Sequence, residues 1–361
     1  GIVAQRAALR PLFSPLAAAV TRSPLAHLAA TFITSLLLLL GLACTWGGAL
    51  PNVIRRAGET PTLLVIALSA GVLYFSPALL LTLLSAALLF FLIYQRVQYG
   101  LALVVFWAPF FMFPVGLSPW GVTPYEDQGS LLALLPAERF ASLRFSMAEI
   151  TLLITLAAWA ARGLVAWAQG GLRAPRRPRL TLADGVMLAL LALAAASVSW
   201  SAFRAEALRE FRVVITEPAL FYLMLRTQAL KRRDFWLLLD ALVLAGVVVA
   251  AYGLYQFIFN VDVIIAEQGA RRLASVYGSP NNAAMFMGGC LAVILAVALM
   301  GRDRARRLAY LAAGAVIAPA AALTQSMGYL LLGLPASVIV VLLLWRGRRA
   351  LPLIAALALV A

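Results

Sequence analysis

The sequence predicts an all-α protein, a polytopic bundle of transmembrane helices with about twelve spans. Three observations carry this. First, the 361 residues are 64% hydrophobic and only 12% charged, with a mean hydropathy of +0.96. A soluble domain is about half apolar and about a quarter charged, so this much apolar surface calls for lipid as its solvent. Second, apolar runs of near-spanning length recur at 31–50, 61–76, 77–94, 100–116, 147–166, 182–199, 213–228, 235–258, 281–300, 308–324, 328–345 and 350–361. A spanning helix needs about 20 such residues. Third, in the second half of the chain, basic clusters fall at every second gap between runs.

In chain order, residues 1–30 carry Arg6, Arg10, Arg22 and His27 and form a polar N-terminal segment, interfacial or disordered. Residues 31–166 form a first set of transmembrane helices, in which Ser76–Pro77 marks a tight hairpin between two short runs. Residues 167–361 form a second set, the core of the molecule. The sequence opens on Gly and stops inside its last apolar run, so a longer protein is expected, incomplete here at its C-terminus. No signal peptide with a small-residue cleavage site is evident.

The net charge of +15, from 28 Arg and one Lys against 14 acids, does not point to nucleic acid as a partner. Its clusters, Arg173/Arg176/Arg177/Arg179, Lys231/Arg232/Arg233, Arg302/Arg304/Arg306/Arg307 and Arg346/Arg348/Arg349, are each two spans apart. That places them on one face, the cytoplasmic one. Arg55/Arg56 do not fit this alternation with the N-terminal arginines. The other face receives 117–146, 200–212, 259–280 and 324–328. Cys44 and Cys290 lie in apolar runs, which argues against a disulfide framework. No His, Cys or carboxylate cluster has metal-ligand spacing, so no metal or cofactor is expected.

The stretch 260–289 is a polar interruption between two long apolar runs that mixes acids, arginines, an aromatic and Asn. Arg271 and Arg272 precede a turn at Gly278–Ser279–Pro280, and Asn281 and Asn282 open the next run. A guanidinium presents a planar fork of donors that matches phosphate oxygens. A helix N-terminus adds free N–H groups, so the pair reads as an anion site at the membrane surface. Solvated or headgroup-binding arginines are the other reading. Pro280 suits a first helical turn. Asn281 and Asn282 read as a cap or as contacts to a substrate hydroxyl, and Tyr277 as a sugar-stacking ring or an interfacial anchor. Trp200–Glu217 reads as an amphipathic surface helix, apolar at Phe203, Ala207, Phe211 and Val214, that turns into a span at Glu217–Pro218. An acid at that level needs a partner, and Arg209 or Arg212 is expected to supply it. Glu149 and Asp240 lie near span ends without an assigned role, Asp240 close enough to Lys231–Arg233 to pair with them. Asp262, Glu267, Glu126, Asp127 and Glu138 are acids of the outer segments.

The order of these features resembles the O-antigen ligase and O-antigen polymerase superfamily. The likeness rests on an outer-loop Arg, the Gly278–Ser279–Pro280–Asn281–Asn282 start of a span, a basic inner turn, and Leu323–Thr324–Gln325–Ser326–Met327–Gly328, and it covers 181–350 best. The resemblance implies a metal-independent, inverting glycosyltransferase of the C-type architecture in the bacterial plasma membrane. It would move a glycan from undecaprenyl diphosphate to an acceptor hydroxyl, on a lipid or a growing glycan, at the outer face. It implies that Arg271 or Arg272 holds the diphosphate as a catalytic group, and that Pro280 and Asn281 match the family's Pro-Asn. Glu217 is added as catalytic, with Arg209, Arg212, Tyr277, Asn282 and Ser326 as substrate contacts. Met327 stands where the family has Arg. The family's outer-loop His would follow residue 361.

A membrane transporter or flippase of lipid-linked oligosaccharide is the rival reading. Transporters place charged sites near the bilayer midplane, often in repeated halves. Here polar residues gather at span ends and no internal repeat is seen. An assembly protein without chemistry is the third reading, and it predicts blander outer segments.

Overall fold

The computed structural model describes residues 58–75, 79–111, 114–118, 121–124, 145–168, 181–261, 263–265, 269–352 and 354–355. The N-terminal segment with His27, the run at 31–50 with Cys44, Arg55/Arg56, Ser76–Pro77, the acids Glu126, Asp127, Glu138, Asp262 and Glu267, the cluster Arg173–Arg179 and most of 350–361 lie outside them. The described chain is helical apart from a three-stranded and a two-stranded sheet of very short strands.

Among the described residues six helices are long and apolar enough to cross a membrane, which makes this a multi-pass membrane protein. They are α4 (Met147–Ala168), α5 (Leu182–Trp200), α8 (Arg232–Phe259), α9 (Pro280–Met300), α10 (Arg304–Leu323) and the helical stretch Tyr329–Ala350, which contains α11 (Leu334–Arg346). Three shorter apolar helices precede them: α1 (Glu59–Phe75), α2 (Leu79–Gln95) and α3 (Val97–Trp107). No residue of α5 is buried, although it is apolar all round, with Leu193 67% and Trp200 78% exposed. A helix of that kind needs lipid on its faces.

Two expectations are corrected. The run at 100–116 is not one helix: α3 ends at Trp107, a 3-10 turn covers Ala108–Phe110, and Pro114–Ser118 is β1, paired with β2 (Gly121–Pro124) and β3 (Phe145–Ser146). Pro109 and Pro114 lack the N–H groups that would continue the helix. The surface helix also does not turn at Glu217. The chain runs on from α6 (Arg204–Glu210) through a π turn at Phe211–Thr216 into α7 (Glu217–Thr227). A helical Pro clashes with the carbonyl four residues back, and one wide turn ahead of Pro218 relieves this without breaking the helix. The same device recurs at Tyr329–Gly333, just ahead of Pro335.

The chain packs as two compact units. One holds the described residues of Val105–Met112 and Leu238–Ala361, the other those of Ala17–Val104 and Phe113–Leu237. The division runs through α8, a different partition from the sequence boundary at 167.

In the second unit, Arg96, at the joint of α2 and α3, donates to Glu59 at 2.6 Å and to Asp234. Burial works against its charge, but these hydrogen bonds outweigh it and raise its pKa. Asp184 closes a capping box with Thr181 at the start of α5, accepts from Tyr222 at 2.7 Å and pairs with Arg226. In the first unit, Asp240 accepts from Tyr310 at 2.6 Å and pairs with Arg306 at 3.4 Å. The expected pairing with Lys231–Arg233 gives way because Asp240 lies about two turns further along α8.

Candidate functional site

The stretch after α8 folds back into its own unit. Ile264–Ile265 (β4) pairs antiparallel with Arg271–Arg272 (β5), with Ile264 opposite Arg272 and Ile265 opposite Arg271. Beyond β5 the chain is buried: Leu273 donates its N–H to the Leu323 carbonyl at 3.0 Å, and the Ser275 hydroxyl donates to the Val249 carbonyl at 2.6 Å. Val249 lies ten residues before the end of α8, about 15 Å at 1.5 Å per residue. Gly253 leaves room for Leu273, because a Cβ there would stand 2.6 Å from Leu273 Cδ2. The segment is therefore re-entrant along α8, packed against its inner turns rather than standing clear of it.

Neighbouring strand residues face opposite ways, so the two arginines part. Arg272 turns toward α9 and the 324–326 turn. Its Nε donates to the Thr324 carbonyl at 3.0 Å, and its Nη2 to Asn281 Oδ1 at 3.2 Å and to the Gln325 carbonyl at 3.3 Å. Arg271 turns toward the end of α8, donating to Asn260 Oδ1 at 3.3 Å with its guanidinium 4.8 Å over the Phe257 ring.

What holds Arg272 is neutral. Arg96, Arg212, Arg226, Arg233 and Arg306 each face a carboxylate, whereas among the described residues neither Arg271 nor Arg272 does. A half-buried cation fixed by carbonyl and amide oxygens keeps its charge for a ligand. The N-cap of α9 is Ser279, whose side chain makes no capping bond. The N–H groups of Asn281 and Asn282, the first that α9 offers after Pro280, thus receive no cap from Ser279 and suit an anion. Asn281 does not cap; it steadies Arg272.

Three non-glycine residues among those described have a left-handed φ: Asn260 at +55°, Ser275 at +51° and Gln325 at +49°. Asn260 accepts from Arg271, Gln325 accepts from Arg272, and Ser275 pins the segment between them. Strained backbone concentrates where function holds it in place.

Of the other expected residues in this unit, Pro280 is buried in the first turn of α9, and Asn282 is exposed beside Asn281. Tyr277 is half-buried, its ring centroid 6.2 Å from Phe111 and 5.8 Å from Phe286. Burial pushes its hydroxyl up, so it stays a proton donor. Ser326 is buried, its N–H donating to Thr324 Oγ1, while Met327 is exposed.

The second unit holds a separate acid–base group. In the π turn the Glu217 N–H bonds the Arg212 carbonyl, stacking one residue over the other one wide turn apart. Arg212 Nη2 lies 2.9 Å from Glu149 Oε1, and the Glu217 carboxyl sits beside Glu149. Buried Glu149 also accepts the Ser146 N–H at 2.5 Å while its own N–H reaches Ser146 Oγ, a capping box that starts α4. Arg209 is exposed, without a partner among the described residues.

Sequence reasoning gave no role to Glu149, Asn260, Thr324 or Gln325. The Ser146-x-x-Glu149 spacing carried the signal for the first, and Asn after a helix end carried it for the second. Nothing local marked the carbonyls of Thr324 and Gln325. No protein-family model, curated protein or solved structure matches the chain. Among the described residues no cluster of His, Cys, Asp or Glu has the makings of a metal site.

Proposed function

We propose that the protein transfers a glycan from a polyprenyl (undecaprenyl) diphosphate carrier to an acceptor hydroxyl at the outer face of a bacterial plasma membrane, in the manner of O-antigen ligases and polymerases. The observation that supports this most is Arg272, a guanidinium with no carboxylate partner among the described residues, held in place by three neutral oxygens beside a helix N-terminus that Ser279 does not cap. In the reaction the glycosyl C–O bond breaks and the diphosphate leaves with the electron pair. The acceptor oxygen forms the new bond, and its proton passes to water. Charge grows on the diphosphate, and preorganised donors aimed at growing charge lower the barrier. A re-entrant segment suits a donor whose phosphate must remain tied to a membrane tail.

The test is glycan transfer from the lipid-linked donor in vesicles. Arg272→Gln is expected to lower the rate by about 100- to 1000-fold, the usual cost of one such donor. Transfer at the wild-type rate would remove the proposal's main support.

The Glu149–Arg212–Glu217 group favours a second reading, a carrier of lipid-linked oligosaccharide, since ionisable groups in membrane helices mark transport pathways. Under that reading the donor appears on the far leaflet unaltered, and Glu217→Gln abolishes its movement. Transfer to an acceptor without net translocation excludes it.

A further inference from the structure

Arg271 stands on the other side of β5 from the Arg272 site, and its surroundings are of a different kind. Its guanidinium lies over the Phe257 ring and donates to Asn260, which takes a left-handed φ at the end of α8. Ile265, directly opposite Arg271 in the hairpin, shares its face and is 69% exposed. Ile258 and Phe259, at the end of α8, are 67% and 66% exposed. A permanent cation without a carboxylate partner among the described residues is thus bordered by bare apolar side chains at the end of a membrane-spanning helix.

We propose that Arg271, Asn260 and Phe257 form a seat for the phosphate headgroup of an anionic phospholipid, with its acyl chains over Ile258, Phe259 and Ile265. The phosphate takes the guanidinium edge that Asn260 leaves open, while the ring beneath holds the fork flat. A soluble anion would satisfy the cation and leave the apolar border in water. A phospholipid satisfies both. The seat does not depend on glycosyl transfer and would serve a carrier as well as an enzyme.

The experiment titrates phosphatidylglycerol or phosphatidylcholine into delipidated protein in detergent and counts bound lipid by native mass spectrometry. Wild type is expected to prefer phosphatidylglycerol, with Arg271→Gln losing affinity for it by about tenfold, one charge-assisted hydrogen bond's worth. Arg272→Gln keeps the preference. Phe259→Ser, a surface change that leaves the charge in place, weakens both lipids. An unchanged preference in Arg271→Gln overturns the proposal. Displacement of phosphatidylglycerol from wild type by excess inorganic phosphate also overturns it, by making the seat a free-anion site.

Discussion

At the scale of the residue, the planar fork of Arg272 matters as much as its charge. Three hydrogen bonds from Nε and Nη2 fix its plane, and a lysine has no such fork. Arg272→Lys is therefore expected to lose most of the transfer that Arg272→Gln loses, despite keeping the charge. Asn281→Ala removes one hydrogen bond to a charged group, about 1.5–3 kcal/mol, so transfer falls by roughly tenfold or more. A rate assay with the three variants checks both, and a fully active Arg272→Lys would mean that charge alone suffices. The paired arginines and paired asparagines were legible in the sequence. Which arginine meets which asparagine was not, because that follows from alternation along a two-residue strand and from carbonyls about fifty residues away.

At the scale of the element, glycines and prolines shape the frame around the site. A Cβ on Gly288 of α9 would lie 2.2 Å from Tyr329 Cε2, and a ring cannot bend aside. Gly288→Ala is expected to destabilise the protein by about 1–3 kcal/mol, read as a lowered Tm in detergent. An unchanged Tm would show that α9 and the second π turn move apart freely. Most of the described helices were plain from the apolar runs, but the break after Trp107 was not. The two π turns were not, since their cause is a steric conflict one turn ahead of Pro218 and Pro335 rather than any residue preference within them. The re-entrant segment escaped notice for a similar reason. Its polarity reads as a loop, and its depth comes from Leu273 and Ser275 docking on Gly253 and Val249.

At the scale of the whole molecule, orientation rests on where the arginines gather. If the basic clusters mark the cytoplasmic face, single cysteines at Arg304 and Arg348, in a background without Cys44 and Cys290, should react with an impermeant thiol reagent only after cells are opened. A cysteine at Asn282 should react in intact cells. The reverse pattern would turn the molecule over and put the Arg272 site on the wrong face for an outer-leaflet transfer. The membrane class was fully legible from composition. The partition into two units was not, because it cuts through α8, a single uninterrupted apolar helix whose ends pack with different neighbours.

The most direct measurement is the equilibrium binding of undecaprenyl diphosphate to purified protein, wild type against Arg272→Gln, with Arg271→Gln alongside. If Arg272 is the cation kept free for the donor's diphosphate, its loss weakens binding by tenfold or more, while Arg271→Gln binds nearly as wild type. Equal affinity in wild type and Arg272→Gln would contradict the assignment of this site to the diphosphate.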